Sequence, residues 1–537
     1  MSDDEADTEA EAAEAEAAET EAAETEAAET EDDLDGSDVF VFNPLPWDRE
    51  VSGPVPGTVV DVRGDAADHT AGRHFQDRNA TFDATALLDG ALDSFGGYAL
   101  TPTTVPGYGY TTVDRADLHE RGDHSFDERG VVETDRYRVE FDRERGGIAA
   151  WYDRERDCQW VDRDADDPLA GFVHETVADR DHDSPRSLLY RYPDDADWAA
   201  EIIGVTSNDR SWQSDWHAER TRPEGVVRHR VYDVPRGSEV RQRLAVPTVE
   251  SDVVLRVLVP DDDETLTVEA AWEMGADPHP ESTYLAFPFD LDDPTARVDV
   301  GAQAMRPGAD QIEGTCHDYY TVQRWADLSD DDRGMTVGCP VNPMVQFGDF
   351  SFADNAREFS MDRAQLLGWV TSTYWETNFR AHQPGAVFAR YHLTPHGAFD
   401  EAEAHRRGLE AEHDRPVAQT AAEPSAPDAS LAGSDSLLDL PEPPVVVTQV
   451  RPDRDGPGVF QFGRDEPPAE GLLVHLRNAS DDPETASFDS GAVGIEAAYR
   501  VGALGESLDG GGLGVEDGAV SVDLKPRETA TVRIVPE

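Results

Sequence analysis

Apolar residues in this chain recur at every second position in short runs, and glycine or proline cuts almost every run within about eight residues. Leu266, Val268, Ala270 and Trp272 share one face of such a run, and Tyr137, Val139 and Phe141 alternate with Arg138 and Glu140 in another. A period of two places those side chains on one side of a pleated strand. Helical periodicity is scarce. The pattern predicts a mainly β protein whose sheets pack on one another.

The runs group into units. Residues 1–37 carry the repeat Ala-Ala-Glu-Thr-Glu at 17–21, 22–26 and 27–31. A five-residue period makes no apolar stripe, and the segment has almost nothing to bury, so it reads as a disordered acidic tail. Residues 38–130 read as a small β-sandwich, opened by Val-Phe-Val-Phe (39–42) and closed by Val105-Pro106-Gly107-Tyr108-Gly109-Tyr110. Residues 131–416 read as a large antiparallel supersandwich. Gly146-Gly147 turns its first strand back into Ile148–Tyr152, and further strands are expected at 240–246, 253–259, 266–272 and 284–289. Its clearest helix runs from Asp400, a plausible N-cap, to His413. Residues 417–443, rich in Ala, Pro, Ser, Asp and Glu, read as a linker. Residues 444–537 read as a C-terminal β-sandwich, with strands at 445–450, 472–476, 495–501, 520–524 and 529–535.

Charge sets the solvent. Acidic residues outnumber basic ones by 113 to 45, for a net charge of −68, and Lys525 is the sole lysine. Such a chain repels itself in dilute buffer. In molar salt the screening length falls to about 3 Å and the penalty largely vanishes. The composition therefore points to a salt-adapted protein. It shows no basic stripe for nucleic acid. There is no signal-like start and no run long enough for a membrane span, which leads to a cytoplasmic expectation. Cys158, Cys316 and Cys339 form no Cys-x-x-Cys and read as reduced, buried thiols.

No metal motif stands out. His119-Glu120 with His124 has the wrong spacing for a zinc helix and reads as an exposed loop, and His182-Asp183 and His317-Asp318 are adjacent pairs that diverge along a strand. Phosphate-loop, serine-hydrolase and dinucleotide signatures are missing. Two segments mix aromatic with polar residues: Tyr319-Tyr320 with Gln323-Arg324-Trp325-Ala326-Asp327, and Tyr374-Trp375-Glu376-Thr377-Asn378-Phe379-Arg380 with His382-Gln383. A ring covers the C–H face of a sugar while amides, carboxylates and guanidinium groups meet its hydroxyls. The alternative is that the rings are core and the polar groups bind backbone at strand ends.

In order along the chain, Asn43-Pro44-Leu45-Pro46-Trp47-Asp48-Arg49, Tyr137–Asp142 with Gly146-Gly147-Ile148, Tyr284–Phe289, Gln323-Arg324-Trp325, Trp375–Phe379, Leu473–Asn478 and Lys525–Thr529 resemble the C-terminal β-domains of glycoside hydrolase family 38, the α-mannosidases. The resemblance implies a galactose-mutarotase-like supersandwich flanked by smaller sandwiches. In that family the zinc, its His and Asp ligands, the nucleophile and the acid/base lie in an N-terminal domain with no counterpart among these residues. The expectation is a carbohydrate-binding, non-catalytic β-half, with a mannoside-type glycan as ligand. Zinc is then expected only in a separate catalytic subunit. Arg324, Trp325, Trp375, Asn378, Arg380 and Gln383 are the expected sugar-facing or docking surface, and no catalytic or metal residue is assigned. The alternatives are a self-sufficient glycosidase or mutarotase-like epimerase using the supersandwich, and a structural protein.

Overall fold

The computed structural model describes residues 39–54, 88, 98–114, 117, 119–120, 125–177, 218–234, 236–261, 263–276, 281–351, 356, 358–373, 384–414, 417–420, 433–453 and 471–537. Among these residues the strands fall into seven sheets with antiparallel pairing. The acidic repeat lies outside the described residues.

Two sheets form the centre. One has ten described strands, in the order Ala304–Met305, Thr295–Asp299, Trp325–Ser329, Gly334–Gly338, Gly385–His396, Leu266–Met274, Val253–Pro260, Gly237–Ala245, Gly225–Val234 and Phe126–Asp127. The other has six: Ala218–Thr221, Gly171–Val177, Glu281–Pro288, Gln365–Ser372, Met344–Phe347 and Tyr320–Thr321. Period two explains the layering. Val268, Ala270 and Trp272 point into the space between the sheets, where Phe172 meets Trp272 edge-on at 5.1 Å and Phe287 meets Tyr391 at 5.0 Å. Burying one such ring stabilises by about 1.5–3 kcal/mol.

A four-stranded sheet carries Tyr137–Phe141 and Ile148–Asp153 as a hairpin and adds Trp151 and Trp160 to the same core. Its turn needs glycine at two places. Gly146 and Gly147 have φ of +82° and +80°, and a Cβ on Gly147 would lie 2.6 Å from the Leu169 carbonyl oxygen.

The first sandwich joins two small sheets through Val41, Val51, Leu100 and Val105. Here the linker expectation is corrected. Val417–Thr420 pairs with Val39–Asn43, and Ser434–Ser436 pairs with Gly109–Val113. Both ends of the stretch expected as linker thus extend the first sheet, while residues 421–432 lie outside the described residues. His119–Glu120 is likewise a short strand paired with Tyr98–Val105, not a free loop. The terminal sandwich packs a five-stranded on a four-stranded sheet around Val474, Leu476, Phe488, Val522 and Val532.

The helix Glu401–Glu412 starts where the sequence places it. The Asp400 side chain accepts from the Glu403 N–H, so one orphan donor of the first turn is capped. The three cysteines are free, but only Cys339 is buried; Cys158 is half-buried and Cys316 exposed. No described helix is long and apolar enough to cross a membrane.

Candidate functional site

Two of the six expected surface residues are described, and both lie inside. Trp325 is fully buried where the strand Trp325–Ser329 meets the helix Glu401–Glu412. Its indole N–H donates to His405 Nδ1 at 3.2 Å. The ring packs so closely that a Cβ on Gly408 would lie 2.5 Å from Trp325 Cδ1. Arg324 is buried alongside, and its Nε donates to Glu412 at 2.6 Å. The helix covers both side chains, which corrects the surface assignment for this pair: they fasten helix to sheet. Trp375, Asn378, Arg380 and Gln383 lie outside the described residues.

The same helix roofs a cavity of about 330 Å³ lined by Arg156, Glu264, Thr336, Thr394, His396 and Arg407, among others. That volume is at the lower end of small-molecule sites. Thr336, Thr394 and His396 reach the cavity from two adjacent strands. Asp327, fully buried, accepts hydrogen bonds from Ser329 at 2.7 Å, Thr336 at 3.0 Å and His396 Nε2 at 2.7 Å. The other His396 nitrogen faces the Gly397 carbonyl at 2.8 Å. Burial disfavours a charged imidazole here, but the Asp327 carboxylate and the Gly397 carbonyl outweigh it, so the His396 pKa is raised above its ordinary value. An imidazolium that donates from both nitrogens fits this geometry. On the wall, Glu264 accepts from Arg407 at 2.7 Å, Arg136 at 3.0 Å and Arg156 at 3.3 Å. Donors and acceptors both reach the cavity, where Arg407 pairs with Glu264 and Glu403 while Asp400 caps the helix. Such a lining suits a neutral, hydroxyl-rich molecule better than an ion.

Glycoside hydrolysis by a carboxyl pair needs an accessible carboxyl of raised pKa as its general acid. Burial raises that of Asp299, against the opposing charges of His405 and Arg324. Asp299 is fully buried beneath the same helix contact, however, so it cannot meet a substrate there. The described residues gather no three His, Cys, Asp or Glu side chains able to hold a metal ion.

A second polar array lies on the outer face of the ten-stranded sheet. Arg241, Arg256, Glu269 and Arg390 occupy one register line across four adjacent strands. Glu269 takes Arg390 at 2.8 Å on one side and Arg256 on the other. Glu239 pairs with Arg241 at 2.5 Å, and Asp414 with His392 at 3.3 Å. Sequence reading missed this array because each member looks like an ordinary outward residue; only the strand register brings them into one row.

No family model and no curated protein matches the sequence. Solved structures do match. An α-mannosidase from Enterococcus faecalis V583 superposes with a TM-score of 0.52, at 13% identity, over 81% of this chain and 46% of its own. A glycosyl hydrolase family 38 protein from Enterococcus faecalis does so with a TM-score of 0.53, at 11% identity, over 93% of this chain and 58% of its own. This chain spans about half the length of these two proteins, and what it shares with them is the fold.

Proposed function

We propose that this chain is a carbohydrate-recognising β-half of an α-mannosidase-like system, working beside a catalytic domain carried by another polypeptide. The superposition over 93% of this chain, but only 58% of a family 38 protein, is the observation that carries the reading. The polar lining of the cavity, with both donors and acceptors, supports a hydroxyl-rich ligand. The test is co-expression in concentrated KCl with a zinc-dependent β/α domain from the same genome, followed by co-purification and mannosidase assay. Association together with a rise in mannoside hydrolysis is expected. A catalytic domain that is fully active alone and never associates with this chain overturns the proposal.

A further inference from the structure

The terminal sandwich turns the inner face of its five-stranded sheet to Val474, Leu476, Ala498, Val532 and Ile534. Its outer face is different. One cross-strand row there runs Arg451–Leu473–Arg533–Tyr499–Gly512. Tyr499 is 42% exposed, a value that among the described aromatic residues only Phe126 exceeds. Its hydroxyl has no hydrogen-bond partner among the described residues. On one flank stands Arg533, held by Asp453 at 2.5 Å and by the Gly505 carbonyl at 2.8 Å. On the other flank is Gly512, where an added Cβ would meet nothing within 4 Å. Neighbouring strands lie about 4.8 Å apart, so the ring has a fixed guanidinium–carboxylate pair on one side and vacant space on the other.

Further along the same face, His475 Nδ1 is 3.0 Å from the Thr531 hydroxyl and Nε2 is 3.4 Å from Arg451 Nε. Burial first, and then the Arg451 charge, lower the His475 pKa.

We infer that Tyr499 is the platform of a sugar-binding site on the terminal sandwich, with a pyranose ring stacked on the phenol and its hydroxyls directed at Arg533, Asp453 and neighbouring groups. The inference rests on the carbohydrate reading above and gives that reading a location. Stacking and short hydrogen bonds survive molar salt, where attraction between separated charges is screened within about 3 Å.

The test uses the full chain in concentrated KCl, with calorimetric titration of methyl α-mannoside and retardation on immobilised mannan. Tyr499→Ala is expected to weaken binding at least about tenfold, and Tyr499→Phe by less than about twofold. Gly512→Val, which fills the vacant flank, is expected to weaken binding as much as loss of the ring while the circular dichroism spectrum stays unchanged. If the wild type binds mannan and Tyr499→Ala binds it equally, the location is wrong but the carbohydrate reading stands. If the wild type binds neither probe, the carbohydrate reading falls, and the site with it. If Tyr499→Ala keeps mannan binding but loses a co-purifying polypeptide, the face is a protein-docking surface instead.

Discussion

Replacing Glu401 by glutamine removes one charge from the seam between the supersandwich helix and the terminal sandwich. Glu401 accepts from Arg527 Nη1 at 2.6 Å and Nη2 at 3.1 Å, and from the Ala304 N–H at 3.0 Å. Around this clasp, Leu45, Trp47, Ala302, Leu409, Val446 and Ala479 form a shared apolar cluster. Burial alone would raise the Glu401 pKa, but His405, Arg527 and the Ala304 amide outweigh it and hold the carboxyl at about 2 against an ordinary 4.5. At 1.36 kcal/mol per unit that difference is about 3 kcal/mol. With the side chain 20% exposed and molar salt around it, about 1–2 kcal/mol is the expected loss in Glu401→Gln. Because the folded value is depressed, the contribution is complete above pH 4.5 and disappears as pH falls toward 2. Urea unfolding of wild type and variant in concentrated KCl, repeated from neutral to acid pH, measures it. The gap between the two proteins should close on acidification. A variant as stable as wild type at neutral pH, or a gap as wide at about pH 2 as at pH 7, refutes the charged clasp.

Three further perturbations test the packing and the buried pair. Gly408→Ala should lower the melting temperature: helix propensity favours alanine by about 1 kcal/mol, but overlap with Trp325 costs about 1–3 kcal/mol; a rise in melting temperature contradicts the close packing. Tyr391→Phe should raise stability by about 1 kcal/mol, because the fully buried hydroxyl has no partner among the described residues; a loss of similar size in urea unfolding points to a partner for that oxygen. In an NMR titration the His396 ring should hold its proton above pH 6.5, and Asp327→Asn should bring the midpoint down. The stability from this pair is complete below 6.5 and is lost as pH rises through the raised folded value, so an unmoved midpoint in the variant denies Asp327 its role.

The strands with a clean alternation were legible from sequence. Tyr137–Phe141 buries every second side chain, and Ile495–Val501 and the capped helix begin and end within a residue of expectation. Others were hidden for a physical reason. Trp325–Ser329 is buried at all five positions, so Asp327 breaks the apolar run even though Thr336 and His396 satisfy it from neighbouring strands. A period-two search cannot anticipate such remote partners, and the mixed ring-and-charge composition around Trp325 read as surface chemistry. Val417–Thr420 was missed because its partner, Val39–Asn43, lies at the other end of the folded region. Gly408 was the available clue to the burial of Trp325: a glycine inside an otherwise alanine- and glutamate-rich helix marks a close approach.

The ten-stranded sheet ends, among the described residues, in two-residue strands on both sides, Phe126–Asp127 and Ala304–Met305. Phe126–Asp127 covers only Val231 and Tyr232 of the ten-residue strand Gly225–Val234, so among the described residues most of that strand's margin has no neighbouring strand. What stands along it is charged: Arg228 and Arg230 belong to the same stretch, and charge on a sheet margin opposes the docking of another strand. The resistance of this sheet to edge-to-edge growth is therefore electrostatic, and it weakens as salt screens it.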